Sequence, residues 1–588
     1  MDVNALFARA ERAFAAGQHA AARADLSQVL KLAGPQPPVL HLVALNEARA
    51  GDAAAARTAF AKALAAAPGD AQLLNNFANF LNRMGDATAA LAHYGLALKA
   101  APALHQARLN RAILLNQQGR HLDARADAEA LLLHLPGDKA VLQTSGAIHL
   151  ALGQLEAAAR DFDKVLASDG KDLKALHGRA RVASIIGEET LAISLFHQAL
   201  ALSPDDPDLL IGLAEALEAA GDADATAPLA AAVARRPDWL AGQGALARMR
   251  AEAGAGDEFD AAWRLALAKR PADRDLALGH VGCLITAVRP LAALTALDAA
   301  VARHGRNETS DLYEAMAATE AGDAARAMAA LRRLGPVPAA GLAQARLALL
   351  TGDPQAAAAR LEPLARANPD DILLWANLDL AWRLLGDDRH HWLSGQPGLV
   401  STQGIEYAGD WVQLAEVLRG LHRSRSHPIG QSLRGGTQTR GRLFGRPEPE
   451  IVALSEAIMQ AVRRHVAALP PADPGHPLLR HRNDKPSFSG SWSVRLTGGG
   501  FHVAHVHPAG HLSSACYIAL PDGLDGPDRP GWLDVGGPPA ELGLDLPPLH
   551  QIRPQPGQLA LFPSTLFHGT RPFPAGERLT VAFDVVMR

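Results

Sequence analysis

The sequence predicts a multidomain protein in which an all-α array of repeated helix pairs precedes an antiparallel β domain with flanking helices. Three observations lead to this fold class. The length of 588 residues implies several folding units. A glycine recurs at a constant step through the N-terminal part, which indicates a repeat protein. The C-terminal part contains apolar runs, such as Gln558 to Phe562, that read as strands.

The repeating glycines each stand between two amphipathic runs, where a left-handed or tight backbone is needed to reverse a helix. Small residues lie five positions after several of them, and aromatic residues lie nine positions after. The glycines are Gly17, Gly51, Gly85, Gly119, Gly153, Gly187 and Gly221; the small residues include Ala56 and Ala90, and the aromatic residues include Phe60 and Tyr94. This pattern resembles tetratricopeptide repeats. The register becomes unreadable near Arg289 and Pro290 and returns at Gly322, so we expect about eleven helix pairs.

Two pairs of asparagines repeat with the same step and are candidate peptide-binding residues. Asn76 and Asn110 are one repeat apart, as are Asn82 and Asn116. Equivalent positions on successive first helices line one face of the superhelix, where their amides can contact the backbone of an extended peptide. Sugar-transferring enzymes with long tetratricopeptide arms, which this pattern resembles, use asparagine ladders in this way. A local structural role for these asparagines is the alternative.

Three histidines near the C-terminus are candidate metal ligands. His505 and His507 are two residues apart in an apolar run, so in a strand both project from the same face. His568 follows the run from Gln558 to Phe562, and a rolled-up antiparallel sheet would bring it opposite the other two. Three neutral nitrogen donors on rigid strands, with open positions left over, suit a mononuclear non-haem iron site.

Several short motifs in the same region carry a more specific signal. They are Ser491-Trp-Ser-Val-Arg-Leu496, His505-Val-His-Pro508, Leu512-Ser-Ser-Ala-Cys-Tyr517, Phe562-Pro-Ser564, His568 and Glu577-Arg-Leu-Thr-Val-Ala-Phe583. Together they resemble the 2-oxoglutarate/Fe(II) oxygenases of bacteria and phage, which are double-stranded β-helix (jelly-roll) proteins related to prolyl hydroxylases. The resemblance implies that the three histidines bind Fe(II), that Arg578 forms a salt bridge with the distal carboxylate of 2-oxoglutarate, and that Thr580 adds a hydrogen bond. A guanidinium suits this role because its planar fork binds a carboxylate through two charge-assisted hydrogen bonds.

One position departs from the superfamily pattern. The residue two after the first histidine is usually Asp or Glu, whereas here it is His507. His507 is therefore either a ligand, as in a His-x-His-Pro variant, or a neighbour of the metal. Asp534, on another expected strand, is a candidate substitute carboxylate.

Two further histidines are not expected to be ligands. His502 is assigned to the other strand face and His511 to a turn. His511 also completes a pattern that mimics the first metal motif of cupins, but the spacing from Gly557 to His568 favours the oxygenase over the cupin.

The domain boundaries follow from where the repeat period is lost. We expect a tetratricopeptide solenoid over residues 1–388, a linker over 389–404, a helical lead-in over 405–480 and the double-stranded β-helix oxygenase over 481–588. Within the lead-in, residues 406–421 and 447–469 read as helices by apolar spacing. The polar, Gly-rich stretch 431–439 between them reads as a loop, either at the mouth of the active site or simply solvated.

Composition excludes several classes of function. With 57 Lys+Arg against 61 Asp+Glu the net charge is -4, which marks no nucleic-acid-binding surface. No apolar stretch is long enough to span a bilayer, and the N-terminal residues lack the basic start of a signal peptide. The two cysteines, Cys283 and Cys516, lie in separate expected domains, so we expect no disulfide framework and a cytoplasmic location.

These observations predict an Fe(II)/2-oxoglutarate-dependent dioxygenase. The expected reaction is hydroxylation of a protein, peptide or carrier-bound substrate that the repeat arm recruits. Two alternatives stay open. One is a non-catalytic tetratricopeptide scaffold with a degenerate β-helix domain. The other is a three-imidazole metal oxygenase that does not use 2-oxoglutarate, against which Arg578 argues.

Overall fold

The computed structural model describes residues 2–335, 340–424 and 430–588. The chain forms two compact units, Met1–Val182 and Ala183–Arg588. The helices of the first unit are α1 (Val3–Ala15), α2 (His19–Ala33), α3 (Pro37–Ala50), α4 (Ala53–Ala66), α5 (Ala71–Arg83), α6 (Ala87–Ala100), α7 (His105–Gln117), α8 (His121–Leu132), α9 (Lys139–Ala151), α10 (Leu155–Ser168) and most of α11 (Leu173–Ile186). The boundary between the units therefore falls inside the expected solenoid.

The second unit contains the remaining helices and all the strands in the described ranges. Its helices are α12 (Glu189–Leu202), α13 (Pro207–Ala220), α14 (Ala227–Arg235), α15 (Leu240–Glu252), α16 (Ala261–Lys269), α17 (Arg274–Thr286), α18 (Pro290–His304), α19 (Glu308–Glu320), α20 (Ala324–Leu334), α21 (Gly341–Leu350), α22 (Pro354–Ala367), α23 (Ile372–Leu385), α24 (Trp411–Gly420) and α25 (Pro449–Ala468). Its strands are β1 (Ser401–Gly404), β2 (Leu433–Gln438), β3 (Pro486–His502), β4 (Leu512–Ala519), β5 (Leu533–Val535), β6 (His550–Ile552), β7 (Gln558–Pro563), β8 (His568–Thr570) and β9 (Glu577–Met587). None of the described helices is both long and apolar enough to cross a membrane.

The helix pairs of the first unit form for the reasons that the repeat pattern suggests. Gly51 ends α3 with a φ of 87°, a left-handed conformation that costs glycine little. Asp86 begins α6 by accepting a hydrogen bond from the backbone N–H of Ala89. Phe60 is fully buried, and its ring centroid lies 5.1 Å from that of Phe77 in the next pair. The tetratricopeptide interpretation is therefore confirmed at the level of fold.

One repeat of the second unit keeps its structure although its sequence signal is lost. Val288 stands one step of 34 residues after Gly254 and before Gly322, where the pattern requires glycine. The backbone nevertheless turns there in the left-handed region, with φ of 55° at Val288. Helices α17 and α18 pair on either side, so the repeat array continues through the region that was unreadable near Arg289 and Pro290. Helices α1 to α22 form eleven successive pairs, followed by α23, within the described residues.

The β domain consists of two antiparallel sheets, as expected for a jelly roll. The larger sheet has the strand order β1-β7-β4-β9-β3-β2, and the smaller has the order β6-β5-β8. An isolated antiparallel bridge between His505 and His568 joins the segment after β3 to the smaller sheet. Helices α24 and α25 cover the outer face of the larger sheet, where Leu454 and Ile458 lie in one buried cluster with Val581 and Phe583.

Three local expectations differ from the structure. The expected linker 389–404 ends in strand β1, which pairs with β7 at the edge of the larger sheet. The expected loop 431–439 contains strand β2, which pairs with β3 despite its glycines. The helix expected over 406–421 begins at Trp411 instead, because the Asp410 side chain accepts the N–H of Val412 and caps the N-terminus of the helix there. Segments β1 and β2 become strands because each pairs with a strand that is distant in the sequence, and the local composition does not indicate this pairing.

Candidate metal centre

The structure brings His505, His507 and His568 together. One nitrogen atom from each ring lies within 4.8 Å of the others. His568 belongs to β8, and His505 exchanges two backbone hydrogen bonds with it, of 3.0 and 2.9 Å. His505 and His507 follow the end of β3 rather than forming part of a long strand, so this single bridge fixes their position opposite His568.

The hydrogen bonds of the three rings assign one tautomer to each. Nδ1 of His505 lies 2.9 Å from the carbonyl oxygen of Val503, and Nδ1 of His568 lies 3.0 Å from that of Leu566. A carbonyl oxygen only accepts, so both Nδ1 atoms carry the proton. Nδ1 of His507 lies 2.5 Å from a carboxylate oxygen of Asp584 and donates to it. In the neutral form, all three rings therefore leave Nε2 as a lone-pair nitrogen, the form that binds metals.

Burial supports the neutral form of His505 and His568. Desolvation, together with neighbouring His507, lowers the pKa of His505 to about 3. Burial likewise holds the pKa of His568 well below its usual value. Neutral imidazole is the metal-binding species, so His505 and His568 are ready to coordinate without first losing a proton.

The spacing of the nitrogens fits a cation. Nε2 of His505 and Nε2 of His507 are 2.9 Å apart, yet with the tautomers above neither has a proton to share. Imidazole nitrogens lie about 2.0–2.1 Å from a bound zinc ion, so two ligands at right angles around a metal of this size are about 3 Å apart. A cation between the two lone pairs removes their repulsion. Three neutral imidazoles suit Fe(II), although the same donors also suit zinc and copper.

Asp584 is a site residue that the motif analysis missed. It is buried, and it lies on β9 at alternate positions with Arg578, Thr580 and Ala582. Those three line the same cavity as the histidines, whereas Leu579, Val581 and Phe583 point into the core under α24 and α25. The alternation of β9 would have revealed Asp584, because every second residue after Arg578 faces the site.

Arg578 is a buried cation without an acidic partner. Its side chain is 3% exposed, and Nη1 donates to the carbonyl oxygen of Gly531 at 2.9 Å. Its Nε has no hydrogen-bond partner, and Arg578 forms no ion pair with any residue that the structure describes. The guanidinium carbon lies 5.3 Å from the ring centroid of Tyr517, and burial lowers the pKa of Arg578. A buried charge without a partner is costly, so this arrangement fits a bound carboxylate.

One cavity joins the histidines to Arg578 and Thr580. Trp492 and Leu533 supply apolar lining, and strand β2 with its preceding residues supplies Gln431, Ser432 and Gln438. No carboxylate side chain is among the lining residues. The polar stretch that was expected to be a loop therefore forms one wall of the cavity.

His502 also lines this cavity, contrary to its expected place on the other strand face. Its Nδ1 lies 2.9 Å from the hydroxyl oxygen of Ser432, and that oxygen lies 3.1 Å from Nε2 of His505. The β-bulge at the β2–β3 pairing and the end of β3 at His502 break the strict alternation on which the expectation relied. His502 is nevertheless outside the group of three converging nitrogens.

Two other candidates are placed elsewhere. Asp534 is bound by Arg571 at 2.9 Å and accepts a hydrogen bond from Gln551, so its carboxylate is not brought to the three imidazoles. His511 lies near Asp370 and His481 in a second cluster of possible metal ligands. Its Nδ1 accepts the backbone N–H of Met587, which leaves Nε2 protonated in the neutral ring and unsuited to bind a metal.

The candidate peptide-binding asparagines take part in contacts within the first unit. The side-chain amide of Asn110 donates to Asn75 and Asn79 in the preceding pair, at 3.2 and 3.0 Å. Asn76 lies 2.9 Å from Nε2 of His41, and Asn116 accepts from His121 at 2.7 Å. Asn82 is only partly exposed. These bonds are what the local structural role requires, and binding of a peptide by Asn76, Asn110, Asn82 and Asn116 stays a prediction.

Comparison with known proteins agrees with both parts of the chain. Residues 490–584 match the family model described as "Putative 2OG-Fe(II) oxygenase", and residues 187–249 match the model "Tetratricopeptide repeat". The chain is similar to PilW, a widely conserved type IV pilus biogenesis factor, at 22% identity over 35% of this chain and 96% of that chain, with a TM-score of 0.33. It is similar to PilF of Pseudomonas aeruginosa at 18% identity over 35% of this chain and 94% of that chain, with a TM-score of 0.33. A tetratricopeptide repeat protein from Parabacteroides merdae is 14% identical over 45% of this chain and 92% of that chain, with a TM-score of 0.29. No curated protein matches the chain.

Proposed function

Since the chain joins tetratricopeptide repeats to a domain of the 2OG-Fe(II) oxygenase family, we propose that it is an Fe(II)- and 2-oxoglutarate-dependent dioxygenase. One observation carries the proposal. The three imidazoles, each with a lone pair on Nε2, and a buried guanidinium without an acidic partner line the same cavity. The imidazoles suit iron, and the guanidinium suits the carboxylate of a dicarboxylate ligand.

Each residue then has a defined role. His505, His507 and His568 hold iron through Nε2, and Asp584 keeps the proton of His507 on Nδ1. Arg578 binds the distal carboxylate of 2-oxoglutarate, with Thr580 beside it. When bound, the two groups couple oxidation of a C–H bond by O₂ to decarboxylation of 2-oxoglutarate, which yields hydroxylated substrate, succinate and carbon dioxide. The apolar walls at Trp492 and Leu533 limit the access of water.

The repeats support a macromolecular substrate. Tetratricopeptide repeats generally bind proteins, so the substrate of this proposal is a protein, a peptide or a carrier-bound group that the repeats recruit. The partner's identity is the part of the proposal that rests on the repeats alone.

An anaerobic titration tests the proposal. Fe(II) and 2-oxoglutarate added together should produce the metal-to-ligand charge-transfer band, and neither alone should do so. His505→Ala should abolish iron binding. Arg578→Gln should keep iron but weaken 2-oxoglutarate binding by about 1.5–3 kcal/mol, the typical contribution of hydrogen bonds to charged groups. Arg571→Gln is the matched control, because Arg571 pairs with Asp534 away from the histidines.

The same titration separates the rival functions. A three-imidazole metal oxygenase without 2-oxoglutarate is favoured by His507 standing where a carboxylate is usual, and it predicts bound iron with no band on adding 2-oxoglutarate. Failure of the wild-type protein to bind iron would instead leave a non-catalytic scaffold.

A further inference from the structure

Strand β2 is an edge strand that forms one wall of the cavity. It lies at the edge of the larger sheet, so β3 is its only hydrogen-bonded neighbour strand in the described part of the chain. Gln438 on β2 and Ser432 just before it both line the cavity, and the Ser432 hydroxyl lies 3.1 Å from Nε2 of His505. A strand with one neighbour is more easily displaced than a central strand. Any contact that fixes β2 therefore also fixes Ser432 relative to the candidate iron ligand.

The repeat helices of the second unit contact the C-terminal end of β2. Arg440, two residues after the strand, forms ion pairs with Glu218 on α13, at 2.9 Å, and with Glu252 on α15. The side chain of Glu252 is 4% exposed. The Arg440 side chain is 23% exposed, so solvent screens the pair only in part, and removal of Arg440 leaves the buried Glu252 carboxylate without this partner.

A third repeat helix, α17, contacts the chain just before the N-terminal end of the strand. Gly430 has φ of 74° and packs against the carbonyl oxygen of Thr286 at the end of α17. A Cβ atom at Gly430 would lie 2.9 Å from that oxygen, which is closer than side chains normally approach. Backbone therefore meets backbone at this point, and only glycine permits the approach.

We propose that repeat helices α13, α15 and α17 form part of the active site by holding β2 at both ends, with Arg440 and Glu252 as positioning residues for the wall that carries Ser432 and Gln438. The consequence for catalysis rests on the proposed function. The restraint on the strand itself does not.

Hydrogen–deuterium exchange of the full chain tests the restraint. Arg440→Gln should speed exchange of the backbone amides in peptides spanning residues 433–438, while peptides from the central strand β9 keep their wild-type rate. The matched control is Arg346→Gln, because Arg346 on repeat helix α21 also pairs with the β domain, through Glu541, and neither residue lines the cavity or the pocket around Arg440. Arg440→Lys, which keeps the charge, should restore part of the protection.

A second variant avoids an unpaired buried charge. Gly430→Ala should separate the start of β2 from Thr286 and speed exchange of the same peptides. Gly441→Ala is its control, because Gly441 has a similar φ of 69° but a Cβ there would meet only an ordinary contact of 3.5 Å. Unchanged exchange of β2 in both Arg440→Gln and Gly430→Ala would overturn the proposal, whether or not the protein has oxygenase activity.

The affinity for 2-oxoglutarate tests the consequence. The dissociation constant from the charge-transfer titration should rise roughly tenfold in Arg440→Gln, at the lower end of the loss for residues that act through a metal ligand, and should stay at the wild-type value in Arg346→Gln. Faster exchange of β2 with unchanged affinity would show that the repeats hold the strand without positioning the site, and would overturn the catalytic part alone. A wild-type protein that binds no 2-oxoglutarate would count against the proposed function, while the exchange result would still decide the restraint.

Discussion

At the scale of single residues, the candidate site depends on where each imidazole keeps its proton. Two backbone carbonyls and one carboxylate each accept from an Nδ1 atom, and this directs three Nε2 lone pairs to one point. The carbonyls belong to the main chain and cannot be removed by substitution. Asp584 is therefore the only one of the three acceptors that a mutation can delete.

Asp584→Asn should weaken iron binding without removing a ligand. An amide oxygen still accepts a hydrogen bond from Nδ1, but without the charge that strengthens it and raises the basicity of His507. We expect a loss of about 10–100-fold in Fe(II) affinity, typical for partners of metal-binding histidines. Anaerobic titration followed by metal analysis measures it. Asp534→Asn should bind iron as tightly as the wild type; an equal loss in that variant would revive Asp534 as a ligand.

At the scale of elements, the repeat array tolerates one residue that its own pattern excludes. Val288 adopts a left-handed φ in the turn between α17 and α18. Glycines, Gly254 and Gly322, occupy the equivalent turns of the neighbouring repeats. The packing of both helices against their neighbours imposes this backbone conformation on a β-branched residue. Packing therefore overrides the local preference of the backbone.

Val288→Gly should stabilise the second unit. The left-handed conformation costs a non-glycine residue roughly 1–2 kcal/mol, while glycine increases the entropy of the unfolded chain by roughly 0.5–1 kcal/mol. The net gain in the free energy of unfolding should be about 0.5–1 kcal/mol, measured by urea denaturation monitored by circular dichroism. Gly322→Val should have the opposite sign. Destabilisation by Val288→Gly would mean that the partly exposed valine side chain contributes more through packing than its backbone costs.

At the scale of the whole molecule, buried neutral histidines link stability to pH. His465 on α25 is 3% exposed, bonds to Ser401 of β1 at 2.8 Å, and has its pKa lowered by burial from 6.5 to about 4. His422 and His511 have their pKa values lowered to about 4 in the same way. Below pH 6.5 the unfolded chain binds these protons and the folded chain does not. The contribution of these histidines to the free energy of unfolding is therefore fully present above pH 6.5, and it is lost as the pH falls toward 4.

His465→Gln should reduce the slope of the free energy of unfolding against pH, because unfolding of the variant takes up one proton fewer in this range. Each such histidine contributes a slope of about 1.4 kcal/mol per pH unit within its window. Urea denaturation at several pH values between 6.5 and 4.5 measures the slope for the wild type and the variant. Val452→Gln serves as the control, because Val452 is exposed on the same helix and carries no titratable group. An identical slope in the wild type and His465→Gln would show that His465 is already protonated in the folded state.

The position of the unit boundary predicts how the chain can be divided. A fragment that starts at residue 170 keeps α11 and the whole second unit, and it should bind Fe(II) as the full chain does. A cut near residue 400, at the boundary expected from composition, removes the carboxylates that pair with Arg440 and the Arg383 side chain that donates to the carbonyl oxygen of Pro547. Fragment 401–588 should therefore bind iron more weakly and unfold more readily, as titration and thermal denaturation would show. Equal iron affinity in both fragments would restore the boundary at 389–404 as a domain boundary.

The sequence alone was enough for the features that depend on local periodicity. The step from Gly17 to Gly51 and onward predicts helix pairs, because each pair needs a left-handed residue at its turn. The motif around His505 and His507 and the offset from His568 to Arg578 predict residues of the cavity through their resemblance to the oxygenases, although His505 and His507 follow the end of β3 and do not lie within a strand. Features of this kind depend on residues that lie close together in the sequence, so the sequence alone can predict them.

Only the tertiary structure decided the contacts between distant parts of the chain. Asp584 meets His507 because β9 and the segment after β3 face each other across the cavity. Strands β1 and β2 exist because β7 and β3 offer them open edges, although their own sequences read as linker and loop. Arg440 meets Glu252 across almost two hundred positions, and no local pattern records such a pair. The free energy of each of these contacts comes from a partner brought close by the fold, so the neighbouring residues in the sequence do not identify that partner.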